Sequence, residues 1–149
     1  MAYKYSTGIT KKILEHIAAD VSGFEIDIYS GTQPTSPDAK ITLSSSVKLL
    51  GTIKTSDNLA LHFAPTATNN VIDKSTSEIW QFTAVNSGTA GWLRIRLSDD
   101  TGLELSETAL RIDGTFGYGS ADATIEGSGN NIESGKVYTI NQCAIHWGS

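Results

Sequence analysis

The chain has a single cysteine, Cys143, among 149 residues. An internal disulfide is therefore excluded, and a cysteine-built zinc site is not expected. No apolar run approaches the roughly 18 residues that mark a membrane-spanning helix. The opening Met1-Ala2-Tyr3-Lys4-Tyr5-Ser6 has no apolar core of a secretory leader, so neither a membrane nor a secretion signal is expected. Positive charge is also scarce: 11 Lys and Arg stand against 16 Asp and Glu, for a formal net charge of −5. Lys11-Lys12 is the lone basic pair, and nothing concentrates cations on one face as phosphate neutralisation requires, so a nucleic-acid partner is not expected. Strong helix formers are few, which argues against a helix-rich body.

What the chain does have is 17 Ser, 17 Thr and 14 Gly, a composition suited to short strands joined by tight turns. With 39 % hydrophobic and 18 % charged residues, it has enough apolar surface for a globular core. Helical periodicity occurs once. Ile9, Ile13, Leu14, Ile17, Ala18 and Val21 make one apolar face, Ser6 or Thr7 offers an N-cap, and Ser22-Gly23 offers a stop. From Phe24 onward the pattern is β. Phe24-Glu25-Ile26-Asp27-Ile28-Tyr29 alternates strictly, which predicts a half-buried strand with Glu25 and Asp27 on its solvated face. Further strands are predicted at 48–53, 59–63, 78–85, 92–97, 103–105, 110–112, 123–125 and 137–145. Their spacing predicts a mainly β fold, an antiparallel β-sandwich of jelly-roll type with one short N-terminal α-helix. The expected organisation is a single domain, 1–149, with the N-terminal segment and helix at 1–22 and the sandwich at 23–149.

Candidate chemistry is thin. His16, His62 and His146 belong to no H-x-x-x-H or H-E-x-x-H pattern. Gly119-Ser120 and Gly127-Ser128-Gly129 lack the spacing of a nucleophile elbow, and no phosphate-binding loop is present. Asp99-Asp100-Thr101-Gly102 carries oxygens suited to calcium but not the full ligand ladder, and reads as a hairpin turn; whether it binds a cation is open at this point. Trp80, Trp92 and Trp147, with Tyr29, Tyr118 and Tyr138, suggest either core packing or a sugar-stacking platform. No catalytic residue, metal ligand or cofactor-binding residue is expected. The helix stripe Ile9, Ile13 and Ile17 is the candidate subunit interface, because a short amphipathic helix needs something to pack on.

Several segments resemble a known group. Gly88-Thr89-Ala90-Gly91-Trp92-Leu93-Arg94 followed by Ser98-Asp99-Asp100-Thr101-Gly102 resembles the GTAGWFRL…DSDG signature of small β-proteins encoded among the structural genes of tailed bacteriophages. Ile28-Tyr29-Ser30-Gly31-Thr32-Gln33-Pro34, just after the helix, is similar to that group's IYSGTQP segment. Val47 to Ile53, Asp113-Gly114, Ser120 to Ala123 and Ile132 to Val137 resemble further parts of it. The stretches 55–73 and 127–131 depart from the pattern. The resemblance implies a virion protein without enzymatic activity or cofactor: a capsid decoration protein, or a neck, collar or tail component. It would be made in the bacterial host cytoplasm and be a homo-oligomer packed against major capsid or neck and tail subunits. The aromatic residues keep a second expectation open, a carbohydrate-binding module for host-surface glycans.

Overall fold

Ser6 starts the helix. In the computed structural model, which describes residues 3–20, 23–117, 121–126 and 129–147, its Oγ accepts from the Ile9 N–H at 3.3 Å and caps α1 (Thr7–Ala18). This satisfies one of the four N–H groups that every helix leaves unpaired. The row facing inward is Thr10, Leu14 and Ala18, spaced by four, with Ile17 packed beside it. Ile13 sits half-buried on the flank and Ile9 is 49 % exposed. Val21 of the predicted apolar face and Ser22 of the predicted stop lie outside the described residues. The helix is tied to the segment below it by polar contacts. Glu15 accepts from the Ala67 N–H at 3.1 Å, Lys11 donates to the Ala67 carbonyl at 3.3 Å and also pairs with Glu15, and Thr10 bonds Asn70.

The strands are β1 (Phe24–Tyr29), β2 (Leu49–Thr55), β3 (Val71–Asp73), β4 (Trp80–Thr83), β5 (Gly88–Thr89), β6 (Trp92–Leu97), β7 (Arg111–Gly117), β8 (Ala123–Ile125), β9 (Asn131–Ile132) and β10 (Val137–His146). Eight of them pair in the order β3-β10-β4-β2-β1-β6-β7-β8, β8 pairs again with β10, and β5 and β9 pair with each other apart from these. The β8–β10 pairing closes seven strands into a barrel with β3 as an extra strand. The fold is mainly β with one N-terminal helix, as the composition predicts, but the strands form a closed barrel and not a clear sandwich. Period-two alternation is the same in both architectures, since each has one face turned inward. What decides between them is β10, which pairs antiparallel with β4 through Val137–Thr139 and with β8 through Ile140–Cys143. A register shift between Ile140 and Gln142 lets one long strand serve both neighbours.

The interior is one apolar cluster that includes Phe24, Ile26, Ile28, Leu50, Ile53, Trp80, Phe82, Leu93, Ile95, Phe116, Ile125 and Ile140, with Leu14 of the helix added at one end. Phe63 meets both Phe24 and Trp80 edge to face, at 5.5 and 5.3 Å between centroids, the arrangement favoured by aromatic quadrupoles. The predicted strand at 59–63 shrinks to two isolated bridges, at Leu61 and Phe63. The predicted strand at 103–105 is irregular, and its role is described below.

Candidate functional site

Both faces of β1 and β6 are buried. The inner face is the apolar core. The outer face carries Glu25, Asp27 and Tyr29 on β1, Trp92, Arg94 and Arg96 on β6, and Arg111 and Asp113 on β7. Antiparallel register sets these side by side: Asp27 faces Arg94, Glu25 faces Arg96, and Arg94 faces Asp113. The expected solvated face is therefore corrected. Glu25 and Asp27 are only 8 % and 2 % exposed, because two loops, 30–48 and 98–110, lie across them. The loops grip each other through Ile41 N–H to the Leu103 carbonyl at 2.8 Å and Ser106 N–H to the Asp38 carbonyl at 3.0 Å.

All three arginines of the chain are used here, and each makes a two-pronged pair with an aspartate. Arg94 meets Asp113 at 2.7 and 2.8 Å, Arg96 meets Asp27 at 2.7 and 3.1 Å, and Arg111 meets Asp100 at 2.7 and 2.9 Å. The planar guanidinium fork matches a carboxylate in this way, and its remaining nitrogen stays free to donate elsewhere. That nitrogen holds the covering loops. Arg94 Nη1 donates to the carbonyls of Gly102 at 2.8 Å and Ala39 at 3.2 Å, Arg96 Nη1 to Asp100 at 2.6 Å, and Arg111 Nη1 to Glu104 at 2.8 Å. Thr52 completes the set by donating to Asp27 at 2.7 Å. A small second core sits beside the charges: Tyr29 stacks on Trp92 at 4.5 Å, under Ile41 and Leu103.

Protonation follows from this packing. Burial works against the charge on Arg96, but Asp27 and Glu25 more than offset it and hold its pKa above the usual value. Arg111, paired with Asp100, is raised too. The bond from Arg111 holds the Asp100 carboxyl below the usual carboxylate range, helped by the Gly102 N–H. Burial raises the Tyr29 hydroxyl pKa, and the Asp27 charge adds to it. The candidate cation loop thus has its one inward carboxylate already neutralised by Arg111. Gly102, at φ +73°, packs so that a Cβ would stand 2.8 Å from the Arg96 side chain, which makes glycine necessary in that turn.

Elsewhere the predicted candidates disperse. His62 Nδ1 lies 2.9 Å from Glu78, whose carboxylate also accepts from the His62 N–H at 3.0 Å and the Trp80 indole at 2.8 Å. Burial pushes the Glu78 pKa upward, but these three bonds outweigh it and lower it. This group ties one loop to β4. His16 is in the last turn of α1 and His146 ends β10, far apart in the chain. Cys143 is buried, and loss of solvent pushes its thiol pKa up to about 12, so it stays protonated at neutral pH. Among the described residues no group of three or more His, Cys, Asp or Glu is placed to hold a metal. Trp80 and Trp92 are buried, while Trp147 is 37 % exposed; Tyr118 lies outside the described residues. Trp147 borders an open hollow of about 820 Å³ with Tyr3, Tyr5, Asn69, Asn70 and His146. Neither Ile9 nor Ile13 meets a neighbour in the apolar core, and Ile17 does.

The three arginine–aspartate pairs and the two loops they hold form a clamp that the sequence does not show, because its ion pairs join residues as far apart as Asp27 and Arg96. One signal was present: Arg94 and Arg96 alternate on one strand, as Glu25 and Asp27 do on another. No family model matches the chain, and no curated protein or solved structure is similar to it at a significant level.

Proposed function

We propose that this chain is a structural component of a tailed-bacteriophage particle, a capsid decoration protein or a neck, collar or tail subunit, and that it works by subunit packing and not by catalysis. It would be made in the host cytoplasm and assemble on other virion proteins. The observation that carries the reading is where the family-like segments meet. Ile28-Tyr29-Ser30-Gly31 and Gly88 to Arg94 lie side by side, with the Gly91 N–H donating to the Tyr29 carbonyl at 3.0 Å. Ser98 to Gly102 then folds over Asp27, Arg94 and Arg96. Thr52, Arg94, Asp100, Gly102 and Asp113 of the resembling segments thus take part in the loop clamp, with Asp27, Arg96 and Arg111 outside those segments as their partners, an architectural device whose charged groups all have fixed partners. A rigid, loop-pinned barrel suits a protein repeated on a lattice, where modest contacts per copy add up.

The test is localisation. Antibody labelling in electron microscopy of purified particles from a lysate of cells making this chain should place it on the particle. Recovery of the chain wholly in the particle-free fraction sinks the proposal. A carbohydrate-binding module is the second reading, favoured by the aromatic and amide lining of the hollow at Trp147. A glycan array in which Trp147→Ala abolishes a reproducible hit would move it to first place.

A further inference from the structure

The barrel wall has a gap. β7 pairs with β8 only at Phe116 and Gly117, and β8 is three residues long. From Arg111 to Gly114 the side of β7 away from β6 has no strand partner among the described residues. Across the gap stands the end of β10, which leans on Asp122 through the Ala144 N–H at 3.2 Å. The gap opens into two adjoining hollows of about 320 and 130 Å³, both lined by Ile95, Ile112, Ile145 and His146. Leu14 and Ile17 of α1 wall the larger one, and Asp122 stands at the smaller. An edge strand beside an apolar slot is the geometry that takes up an added strand.

The same chain holds a segment of matching character. Tyr3-Lys4-Tyr5 precedes the helix cap without regular structure, and its aromatic side chains alternate. Tyr3 is 86 % and Tyr5 59 % exposed, and both face the hollow at Trp147 and Asn70 instead of the slot. Charge points the same way. The segment's one charged side chain is Lys4, and the carboxylate at the slot that no arginine pairs with is Asp122.

We propose that the slot between β7 and β10 receives the Tyr3–Tyr5 segment of a second copy of this chain. The incoming segment pairs with the free edge of β7, sets a tyrosine ring over Ile112 and Ile145, and brings Lys4 toward Asp122. Such a contact is head-to-tail: the arm of each copy enters the slot of the next, and the assembly closes as a ring or extends as a filament. Ile17, of the expected helix interface, takes part as a slot wall. The inference deepens the proposed function by naming the surface, and it is tested on purified chain without any particle, so the two stand or fall separately.

The experiment is sedimentation of the full chain over a range of concentrations. The expected result is reversible association that weakens at high salt. Tyr3→Ser/Tyr5→Ser, at exposed positions that add nothing to the apolar core, should keep the melting curve and weaken association by about tenfold or more, as loss of interface aromatics does. Mixing Tyr3→Cys chains with Leu110→Cys chains under mild oxidation should give a disulfide between copies. A chain monomeric at every concentration, association indifferent to the tyrosine variant, or a cross-link formed only within a Tyr3→Cys/Leu110→Cys single chain (the arm docking on its own slot) overturns the proposal.

Discussion

Arg94 is fully buried and holds a strand and two loops at once. Two desolvated charges attract strongly, yet the desolvation they paid is comparable, so such a pair adds little against a hydrophobic alternative; removing one partner is what costs. Arg94→Met should therefore destabilise the chain by about 3–5 kcal/mol, since it strands the Asp113 carboxylate in the interior. Arg94→Met/Asp113→Leu should regain part of that loss but not all, because the Gly102 and Ala39 carbonyls still lose their donor. Urea unfolding of the two variants measures it, and a double variant no better than the single one contradicts the account. A second position tests packing alone. A Cβ on Gly51 would overlap the Phe82 ring, itself stacked on Tyr138 at 5.3 Å between centroids. Gly51→Ala should lower stability by about 1–3 kcal/mol, the usual cost of overpacking, and Gly51→Ala/Phe82→Leu should relieve it. Equal loss in both variants would mean that the strand backbone, and not the ring, objects to the methyl group.

Among the elements, the 98–110 loop is one whose hold depends on pH. The Asp100 carboxyl is lower in pKa folded than unfolded, so it contributes stability that is complete above the ordinary aspartate value of about 3.9 and is lost as pH falls through the folded value. Glu78, lowered by its bonds to His62 and Trp80, acts in the same direction. Melting temperature should hold at neutral pH and drop on acidification below pH ~4. In Asp100→Asn the neutral-pH value should be lower and the drop on acidification smaller. An unchanged acid drop would place the sensitivity elsewhere. These elements also mark how far the letters could be read. The strands 24–29 and 92–97 are legible because their alternation is strict, and α1 because its cap and its four-residue spacing agree. The polar half of the same alternation misleads: Glu25 and Asp27 look solvated until Arg94, Arg96 and two irregular loops cover them. Leu103, in a predicted strand, belongs to that cover, where it packs on Ile41 and Trp92 without forming a ladder. β3, β5 and β9 are two or three residues long, too short for any period to show. The slot went unseen for a different reason: it is made by a missing pairing, and no residue pattern encodes one.

For the molecule as a whole, the decisive element is the last. β10 supplies partners to β3, β4 and β8, so the barrel closes only when residues from the far end of the chain have arrived. Contacts of such long sequence separation must overcome loop-closure entropy before they repay it, which places folding in the slow range of all-β topologies, about milliseconds to seconds. The clamp, by contrast, joins β1, β6 and β7 with their loops and does not touch β10. Two regions of unequal dependence follow. A chain ending at Gly135 should keep the sequence needed for the clamp but lose the closing strand, leave β4 and β8 with exposed edges and Trp80 without its enclosed core. It is expected to melt without cooperativity and to bind a hydrophobic dye, and adding a peptide of residues 136–149 should restore a cooperative transition. Cooperative melting of the shortened chain alone would show that the β1-β6-β7 clamp, and not barrel closure, is the folding unit.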